Sequence, residues 1–196
     1  MIWIGLTGGL ATGKSTVAEI LRKKSIPVID ADRIAHSVLD TNPEVKKQIR
    51  HIFGDQVFDP SDSVQRSTLA KLVFGRPDLL LKLESLVHPE VQKIVAMEKQ
   101  KYLEQAQPFC FYDVPLLFEK NLQQQFDKVV CVVCSLQQQR ERMKSRNRWS
   151  DQEIDQRLQA QLPLEEKEKK SDYVIHNSGS LQDLDQQVKK MLDSFQ

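Results

Sequence analysis

A glycine-rich segment near the N-terminus has the residue types and spacing of a phosphate-binding loop. Residues Gly8-Gly-Leu-Ala-Thr-Gly13-Lys14-Ser15 match G-x-x-x-x-G-K-[ST] without a gap. In such a loop, backbone amides and a helix N-terminus face the phosphates of a nucleoside triphosphate. We expect Lys14 to reach the β- and γ-phosphates and Ser15 to offer its hydroxyl to Mg²⁺. An ordinary glycine-rich turn is the alternative, but it would not require this lysine and serine.

Three aspartates follow short apolar runs further along the chain. Asp30 and Asp32 come at the end of the run 27–30, and Asp113 ends the run 109–112. Ligands of open α/β sheets lie beyond the carboxyl ends of the strands. Asp32 is therefore predicted to accept or orient the proton of an acceptor hydroxyl, and Asp113 to hold Mg²⁺. Asp32 could instead cap a helix that begins near Arg33, Asp113 could be a turn residue, and Asp30 is left open.

Arginines are concentrated in the region that follows residue 135. They are Arg140, Arg142, Arg146, Arg148 and Arg157. A guanidinium presents a rigid fork to phosphate oxygens, so at least one of them is predicted to contact phosphate. For any single arginine, a solvated helix face is the simpler interpretation.

Each histidine taken alone is more often structural or exposed than catalytic; this applies to His36, His51, His88 and His176.

Five short apolar runs separated by helical patterns predict a parallel α/β sheet. The runs are residues 2–6, 27–30, 109–112, 128–133 and 173–176. A helix is expected from about Lys14 to Lys24, and capping boxes are expected at Ser135 and Ser150. The last helix has apolar residues at helical spacing and is predicted to pack on the sheet. Those residues are Leu181, Leu184, Val188, Met191, Leu192 and Phe195.

Two long connections divide the predicted fold. The core is assigned to residues 1–35, 108–135 and 171–196. Residues 36–107 exceed the usual length of an αβ connection, and their apolar residues have helical spacing, so they are interpreted as an inserted helical domain. Residues 136–170 are rich in charged residues and glutamine, which favours an exposed helical lid.

Composition narrows the class of protein. The chain has 196 residues, with 28 Lys+Arg against 27 Asp+Glu and a net charge of +1. This balance gives no reason to expect a nucleic-acid partner. No signal peptide or transmembrane segment is expected. The three cysteines, Cys110, Cys131 and Cys134, are interpreted as core residues rather than metal or redox sites, and the setting is predicted to be a reducing cytoplasm.

A phosphate-binding loop alone does not define a reaction. The GTPase patterns D-x-x-G and N-K-x-D do not occur in the sequence, and an ATPase motor would need a longer chain. The two helical connections favour a small-molecule kinase, with one to hold the acceptor and one to close over ATP.

Taken together and in order, the motifs resemble the dephospho-CoA kinase family. The P-loop is common to many families, whereas the later segments are more specific. The matching segments are Gly5–Ala18, Asp30-Ala-Asp32, Ile34-Ala-His36, Arg66-x-x-Leu69, Leu83-Glu84, His88-Pro89, Asp113-Val-Pro-Leu-Leu-Phe-Glu119, Arg142, Arg146, Arg157-Leu-x-x-Gln161 and Asp172-Tyr-Val-Ile-x-Asn177-x-Gly179. The resemblance spans nearly the whole chain.

This resemblance implies a P-loop NTPase fold with three α/β/α layers and a five-stranded parallel sheet. It also implies that the enzyme transfers phosphate from ATP, with Mg²⁺, to the ribose 3′-hydroxyl of dephospho-CoA in the last step of coenzyme A biosynthesis. The insertion would be the acceptor-binding domain and residues 136–170 the lid. The molecule is expected to be a monomer or weak homo-oligomer without nucleic-acid or membrane partners.

The resemblance also assigns roles to single residues. The catalytic set is Asp32, Lys14, Arg142 and Arg146. The ATP-binding set is Gly9, Ala11, Thr12, Gly13, Lys14, Ser15, Thr16 and Asn177, with Asn177 near the adenine. The acceptor-binding set is Asp32, Arg66, His88, Leu116, Leu117 and Glu119. The metal ligands are Ser15 and Asp113.

Two positions depart from the family pattern. Ala11 stands where glycine is usual, and its β-carbon disfavours a positive φ, so the loop is expected to be slightly altered. His176 stands where aspartate is frequent, which bears only on a peripheral contact.

Two alternative functions remain. Another small-molecule or nucleoside monophosphate kinase is the alternative enzyme, and a non-catalytic ATP-sensing module is the alternative of a different class.

Overall fold

The computed structural model describes residues 1–147 and 149–195; Arg148 of the arginine cluster lies outside the described residues. The strands are β1 (Ile2–Gly8), β2 (Val28–Asp30), β3 (Phe109–Asp113), β4 (Lys128–Val133) and β5 (Tyr173–His176). The helices are α1 (Lys14–Lys23), α2 (Ala31–Thr41), α3 (Pro43–Phe53), α4 (Arg66–Val73), α5 (Pro77–Glu104), α6 (Leu136–Asn147), α7 (Asp151–Gln159), α8 (Leu164–Lys169) and α9 (Leu181–Ser194).

The strands form one five-stranded sheet in the order β2-β3-β1-β4-β5. β1 lies parallel to both β3 and β4, and β5 lies parallel to β4. The predicted parallel α/β sheet is confirmed, and each strand lies where its apolar run predicted it. Because the strands are parallel, β1 and β3 bring their carboxyl ends, at Gly8 and Asp113, to the same edge.

The sheet is covered on both faces, as a three-layer fold requires. On one face, Ile4, Leu6, Val130 and Val132 form a core cluster with buried residues of α1 and α9. On the other face, Val129 packs with Val114, Leu117 and Phe118 of the segment that follows β3. Side chains alternate between the faces along each strand, so neighbouring valines of β4 belong to different clusters.

Aromatic rings fill the second face of the sheet. The ring of Trp3 stacks on Tyr112 at 5.6 Å and on Phe126 at 5.8 Å between centroids. Gly5 provides the room, since a β-carbon there would come within 2.5 Å of Leu117 and 3.0 Å of Phe126. These contacts pack the segment after β3 against the strand that leads into the glycine-rich loop.

The helix boundaries follow from local capping. Both predicted capping boxes are present: Ser150 exchanges hydrogen bonds with Glu153, and Ser135 does so with Gln138. A further box at Ser180 and Asp183 begins α9. The predicted apolar face of α9 is buried at its centre, but Leu181 is 62% exposed and does not pack on the sheet. The predicted packing of this face on the sheet therefore does not extend to Leu181, in the first turn of the helix.

The chain divides into two compact units. The first contains Met1–Ile29 and Tyr102–Gln196, and therefore holds most of the sheet together with α6, α7 and α8. The second is Asp30–Lys101 and is helical, with Val38, Ile49, Leu69 and Val91 among its buried residues. No helix in the described ranges is both long and apolar enough to cross a membrane.

The three cysteines are free thiols buried in the sheet region. Burial raises the pKa of Cys131 to about 12 and also raises the pKa of Cys134. Such thiols stay protonated near neutral pH and are poor nucleophiles or metal ligands. Their interpretation as core residues is therefore consistent with their surroundings.

Candidate active site

The glycine-rich loop leaves β1 at Gly8 and enters α1 at Lys14. Gly13 has a φ of 96°, which favours glycine. Ala11 also has a positive φ, 56°. The loop thus keeps a left-handed residue at position 11 despite the β-carbon, a conformation that costs about 1–2 kcal/mol for a non-glycine residue. Inside the loop, the hydroxyl of the buried Thr12 donates to the carbonyl of Gly9 at 2.9 Å.

Carbonyls of the loop are held by polar side chains from distant parts of the chain. Arg142 of α6 donates from Nη1 to the carbonyls of Ala11 and Thr12, at 3.2 Å each. Its Nη2 donates to the carbonyl of Asn177 at 3.0 Å, and Asn177 Nδ2 donates to the Thr12 carbonyl at 2.8 Å. These contacts satisfy the carbonyls on one side of the loop. They also explain how a strained Ala11 is retained.

Two glutamines hold the peptide groups of Leu10. Gln139 Nε2 donates to the Leu10 carbonyl at 2.7 Å, and the Leu10 amide donates to Gln161 Oε1 at 3.2 Å. Sequence reasoning gave these glutamines no role, although Gln161 belongs to the matched Arg-Leu-x-x-Gln segment. Gln139 is only 4% exposed, but this burial is seen in the structure alone, and the local sequence holds no signal for it.

Lys14 and Asp113 meet at the mouth of the loop. Lys14 Nζ forms an ion pair with Asp113 Oδ1, and the carboxylate is almost fully buried. A cavity of about 170 Å³ lies here, lined by residues 8–15 together with Pro115, Arg146 and Gln161. Backbone amides, an ammonium and a guanidinium around a small cavity give the electrostatics that a phosphate group needs.

A second cavity of about 200 Å³ adjoins the first and shares Gly13 and Arg146 with it. Its other lining residues are Thr16, Arg142, Asn177, Leu181 and Leu184. The exposed Leu181 thus provides an apolar surface beside polar groups, a combination that is typical of small-molecule sites. Leu181 and Leu184 were predicted only as core residues.

The arginines of the predicted lid have different surroundings. Arg146 lines both loop cavities, while Arg142 holds the loop carbonyls and lines the second cavity. Arg140 pairs with Asp155 and so joins α6 to α7. The Arg157 guanidinium lies 4.0 Å above the ring of Trp149. Only Arg142 and Arg146 among the described arginines of this region lie at the loop.

The segment after Asp113 was predicted to contact the acceptor. Leu117 is fully buried in the second core cluster, and Leu116 is 37% exposed. Glu119 Oε1 forms an ion pair of 2.7 Å with Lys167 Nζ and accepts the Leu162 amide at 2.9 Å. Burial alone would raise the pKa of Glu119, but the hydrogen bonds from Lys167 and Leu162 hold the pKa below its usual 4.5. In this conformation Leu117 has no surface with which to contact a ligand.

The remaining candidates belong to the helical unit. Asp30 is the N-cap of α2, where its carboxylate accepts the Arg33 amide at 3.0 Å. Asp32 lies in the first turn and is exposed, so the capping role considered for Asp32 belongs to Asp30. Arg66 begins α4 and His88 lies within α5, and both are exposed.

A larger cavity of about 850 Å³ lies among α6, α7, α8 and the ends of β4 and β5. It shares only Gly9 and Gln161 with the lining of the loop cavity. Within residues 1–147 and 149–195, no group of three or more His, Cys, Asp or Glu side chains is arranged to hold a metal by itself.

The comparisons with known proteins agree with this geometry. The family model described as dephospho-CoA kinase matches residues 2–183. The dephospho-CoA kinase of Bdellovibrio bacteriovorus is 40% identical over 192 residues, covering 98% of this chain and 95% of that protein. A solved Thermus thermophilus structure, TT1252, is 35% identical with a TM-score of 0.84, covering 100% of this chain and 98% of the other. The dephospho-CoA kinase from Campylobacter jejuni is 28% identical with a TM-score of 0.73, covering 98% and 96%. With its phosphate loop, its Lys14–Asp113 ion pair and its matching relatives, the chain belongs to the dephospho-CoA kinase family.

Proposed function

We propose that this enzyme transfers the γ-phosphoryl group of ATP to the ribose 3′-hydroxyl of dephospho-CoA, giving CoA and ADP. The main support is the ion pair between the Lys14 ammonium and Asp113 beside the loop cavity, in a chain that belongs to the dephospho-CoA kinase family. The alternative is a non-catalytic ATP-binding module. It is disfavoured because such a module needs neither Asp32 nor the arginines of residues 136–170.

ATP binding uses the two adjoining cavities. The loop amides and Lys14 receive the β- and γ-phosphates, and Arg146 lies where it can reach the same group. The second cavity receives the adenine, with Leu181 against its face and Asn177 at its edge. Arg142 contributes mainly by fixing the carbonyls of Ala11 and Thr12, so that the loop amides point toward the phosphates. This makes Arg142 a positioning residue in the ATP-bound site.

Mg²⁺ fits the donor set at the mouth of the loop. The Ser15 hydroxyl and the Asp113 carboxylate are hard oxygen donors, and Mg²⁺ in such sites is completed by phosphate oxygens and water. When bound, the ion neutralises charge that develops on the phosphates. The ion pair with Lys14 orients the Asp113 carboxylate for that role.

Phosphoryl transfer needs positioning and charge stabilisation more than covalent chemistry. Lys14 and Arg146 carry the positive charge. Asp32 accepts the proton of the 3′-hydroxyl or aligns that hydroxyl for in-line attack. Arg66, His88 and Leu116 are exposed candidates for the acceptor contact. Residues 136–170 act as the lid that excludes water, and the three buried free thiols suit a reducing cytoplasm.

The test is an ADP-release assay with ATP, Mg²⁺ and dephospho-CoA, in which AMP, adenosine and pantetheine 4′-phosphate replace the acceptor in turn. Lys14→Ala and Asp32→Asn should each lower kcat/KM by about 10²-fold or more. The matched controls are Lys23→Ala, at the exposed end of α1, and Asp40→Asn, exposed on α2; both should retain activity. Faster turnover with another acceptor would refute the proposed substrate while leaving a P-loop kinase.

A further inference from the structure

A fully buried lysine lies behind the phosphate loop and has no part in the reaction as described. Lys167 of α8 is 0% exposed. Its ammonium pairs with Glu119 at 2.7 Å and lies 3.5 Å from the carbonyl of Pro115. Burying an ammonium is expensive unless it is paired, and a buried ion pair is often no more stabilising than apolar residues of the same size. The pair therefore calls for an explanation other than stability alone.

The first link from this pair to the loop runs through Leu162. Glu119 Oε1, the oxygen that faces Lys167, also accepts the Leu162 amide at 2.9 Å. Gln161 precedes Leu162, and Gln161 Oε1 accepts the Leu10 amide at 3.2 Å. Fixing the peptide between residues 161 and 162 thus fixes the backbone from which Gln161 reaches the loop.

A second link runs through Pro115. Its carbonyl oxygen accepts a hydrogen bond from the hydroxyl of the buried Thr7 at 3.2 Å, and Lys167 Nζ lies 3.5 Å from the same oxygen. Pro115 and Gln161 both line the cavity at the phosphate loop. The ion pair is consequently connected to two residues that line this cavity, one after β3 and one between α7 and α8.

The hydrogen bonds of Gln139 and Gln161 to Leu10 fix the orientation of the peptide groups on either side of Leu10. Gln139 holds the Leu10 carbonyl at 2.7 Å while Gln161 holds its amide. A β-carbon at Gly9 would come within 2.8 Å of Gln139 Nε2, so Gln139 packs directly against the loop. With both groups of Leu10 held, the neighbouring amides of residues 11–13 have little freedom to turn away from an anion.

We propose that Gln161 is a positioning residue for the phosphate loop, and that the buried Lys167–Glu119 pair holds Gln161 in place. Neither side chain of the pair needs to touch ATP. The inference rests on the proposed use of this loop for ATP, but it does not depend on which acceptor is phosphorylated.

The first test measures ATP affinity by calorimetry without any acceptor, so it stands even if the proposed acceptor is wrong. Gln161→Met keeps the length of the side chain but removes the acceptor for Leu10. We expect the Kd for ATP to rise about 5- to 20-fold, in line with lost positioning at a charged site, with the melting temperature nearly unchanged. Gln156→Met, exposed on α7, is the matched control and should bind ATP as the parent does. An unchanged Kd in Gln161→Met would overturn the proposal.

The second test concerns the ion pair. Lys167→Met alone leaves Glu119 buried without its cation and should destabilise the fold. The double variant Lys167→Met/Glu119→Met removes both charges together with the acceptor for the Leu162 amide, and should be more stable than Lys167→Met alone. We expect this double variant to have weaker ATP binding than the parent, and the addition of Gln161→Met to weaken it by less than the product of the separate effects. Parent-like ATP affinity in the double variant, or effects that multiply fully with Gln161→Met, would show that the pair is only structural.

A kinetic readout separates positioning from general damage. If the loop amides are misplaced, the KM for ATP should rise while the KM for dephospho-CoA stays the same. A merely unfolded fraction would lower the apparent kcat and leave both KM values unchanged, and that pattern would contradict the proposal.

Discussion

Asn177 fills the space in which a side chain at residue 13 would lie. A β-carbon on Gly13 would overlap Asn177 Nδ2, the atom that donates to the Thr12 carbonyl at 2.8 Å. Asn177 follows β5 and Gly13 precedes α1, so this contact ties the end of one strand to the turn that begins the first helix. Asn177 therefore both supports the conformation of the loop and lines the second cavity.

Gly13→Ala should greatly weaken ATP binding. The φ of 96° is unfavourable for alanine, and Asn177 would have to move and release the Thr12 carbonyl. We expect the Kd for ATP, measured by calorimetry, to rise at least about tenfold, which corresponds to about 1.4 kcal/mol. Gly75→Ala is the matched control, since Gly75 has a φ of 71° but no atom lies within 4 Å of the position that its β-carbon would take. That control should lose some stability and keep its ATP affinity; equal affinity losses in both variants would refute the packing argument.

Ala11→Gly should leave the enzyme nearly unchanged. Glycine removes the cost of the positive φ, about 1–2 kcal/mol, but adds about 0.5–1 kcal/mol of backbone entropy cost. The Arg142 contacts to the carbonyls of residues 11 and 12 do not depend on the side chain. We expect the Kd for ATP to stay within about twofold. Ala106→Gly is the matched control, since Ala106 has a φ of 52° and lies outside the loop. Both variants should change the melting temperature by a similar amount. A tenfold loss of affinity in Ala11→Gly alone would mean that the methyl group itself supports the loop.

Glu119→Gln should destabilise the protein at neutral pH and much less in acid. The folded-state pKa of Glu119 lies below 4.5, so the ionised carboxylate stabilises the fold above that pH. Protonation removes this contribution as the pH falls through the lowered pKa. Denaturant unfolding should give a deficit of about 3 kcal/mol at pH 7, as for a broken buried pair, that shrinks below about pH 4.5. Glu19→Gln, exposed on α1, should follow the parent curve; a deficit for Glu119→Gln that is constant with pH would contradict the assignment.

The native protein should not react with a thiol reagent at pH 8. All three cysteines are buried, and burial raises the pKa of Cys131 to about 12. Ellman's reagent should therefore detect the thiols only after denaturant is added, when all three react. Ser145→Cys, exposed on α6, should supply one reactive thiol in the folded state. Rapid reaction of the parent protein would show that the sheet opens readily.

The sheet and the loop were predictable because their signals are local. Each strand is a short apolar run, and Gly13-Lys14-Ser15 is contiguous in sequence. The caps were predictable only to within one or two residues: Asp30, rather than Asp32, is the N-cap of α2, because either side chain could have accepted a first-turn amide. Leu181 continued the apolar spacing of α9, yet spacing does not reveal where the core ends.

The supports of the loop were not predictable from the sequence alone. Leu10 and Gln161 are separated by 151 positions, and Leu10 and Gln139 by 129. Nothing in the local pattern distinguishes these glutamines from the exposed ones around them. The pairing of Glu119 with Lys167 has the same origin, because only the packing of α8 near β4 turns a lysine in a charged helix into a buried cation.

The two tryptophans lie in very different surroundings, which gives the enzyme built-in optical reporters. Trp3 is buried and stacked between Tyr112 and Phe126, whereas Trp149 lies beneath the Arg157 guanidinium at the start of α7. Replacing Trp3 with phenylalanine would leave Trp149 as the sole indole fluorophore. Its emission could then follow events in residues 136–170 while ATP is mixed with the enzyme, without any attached dye.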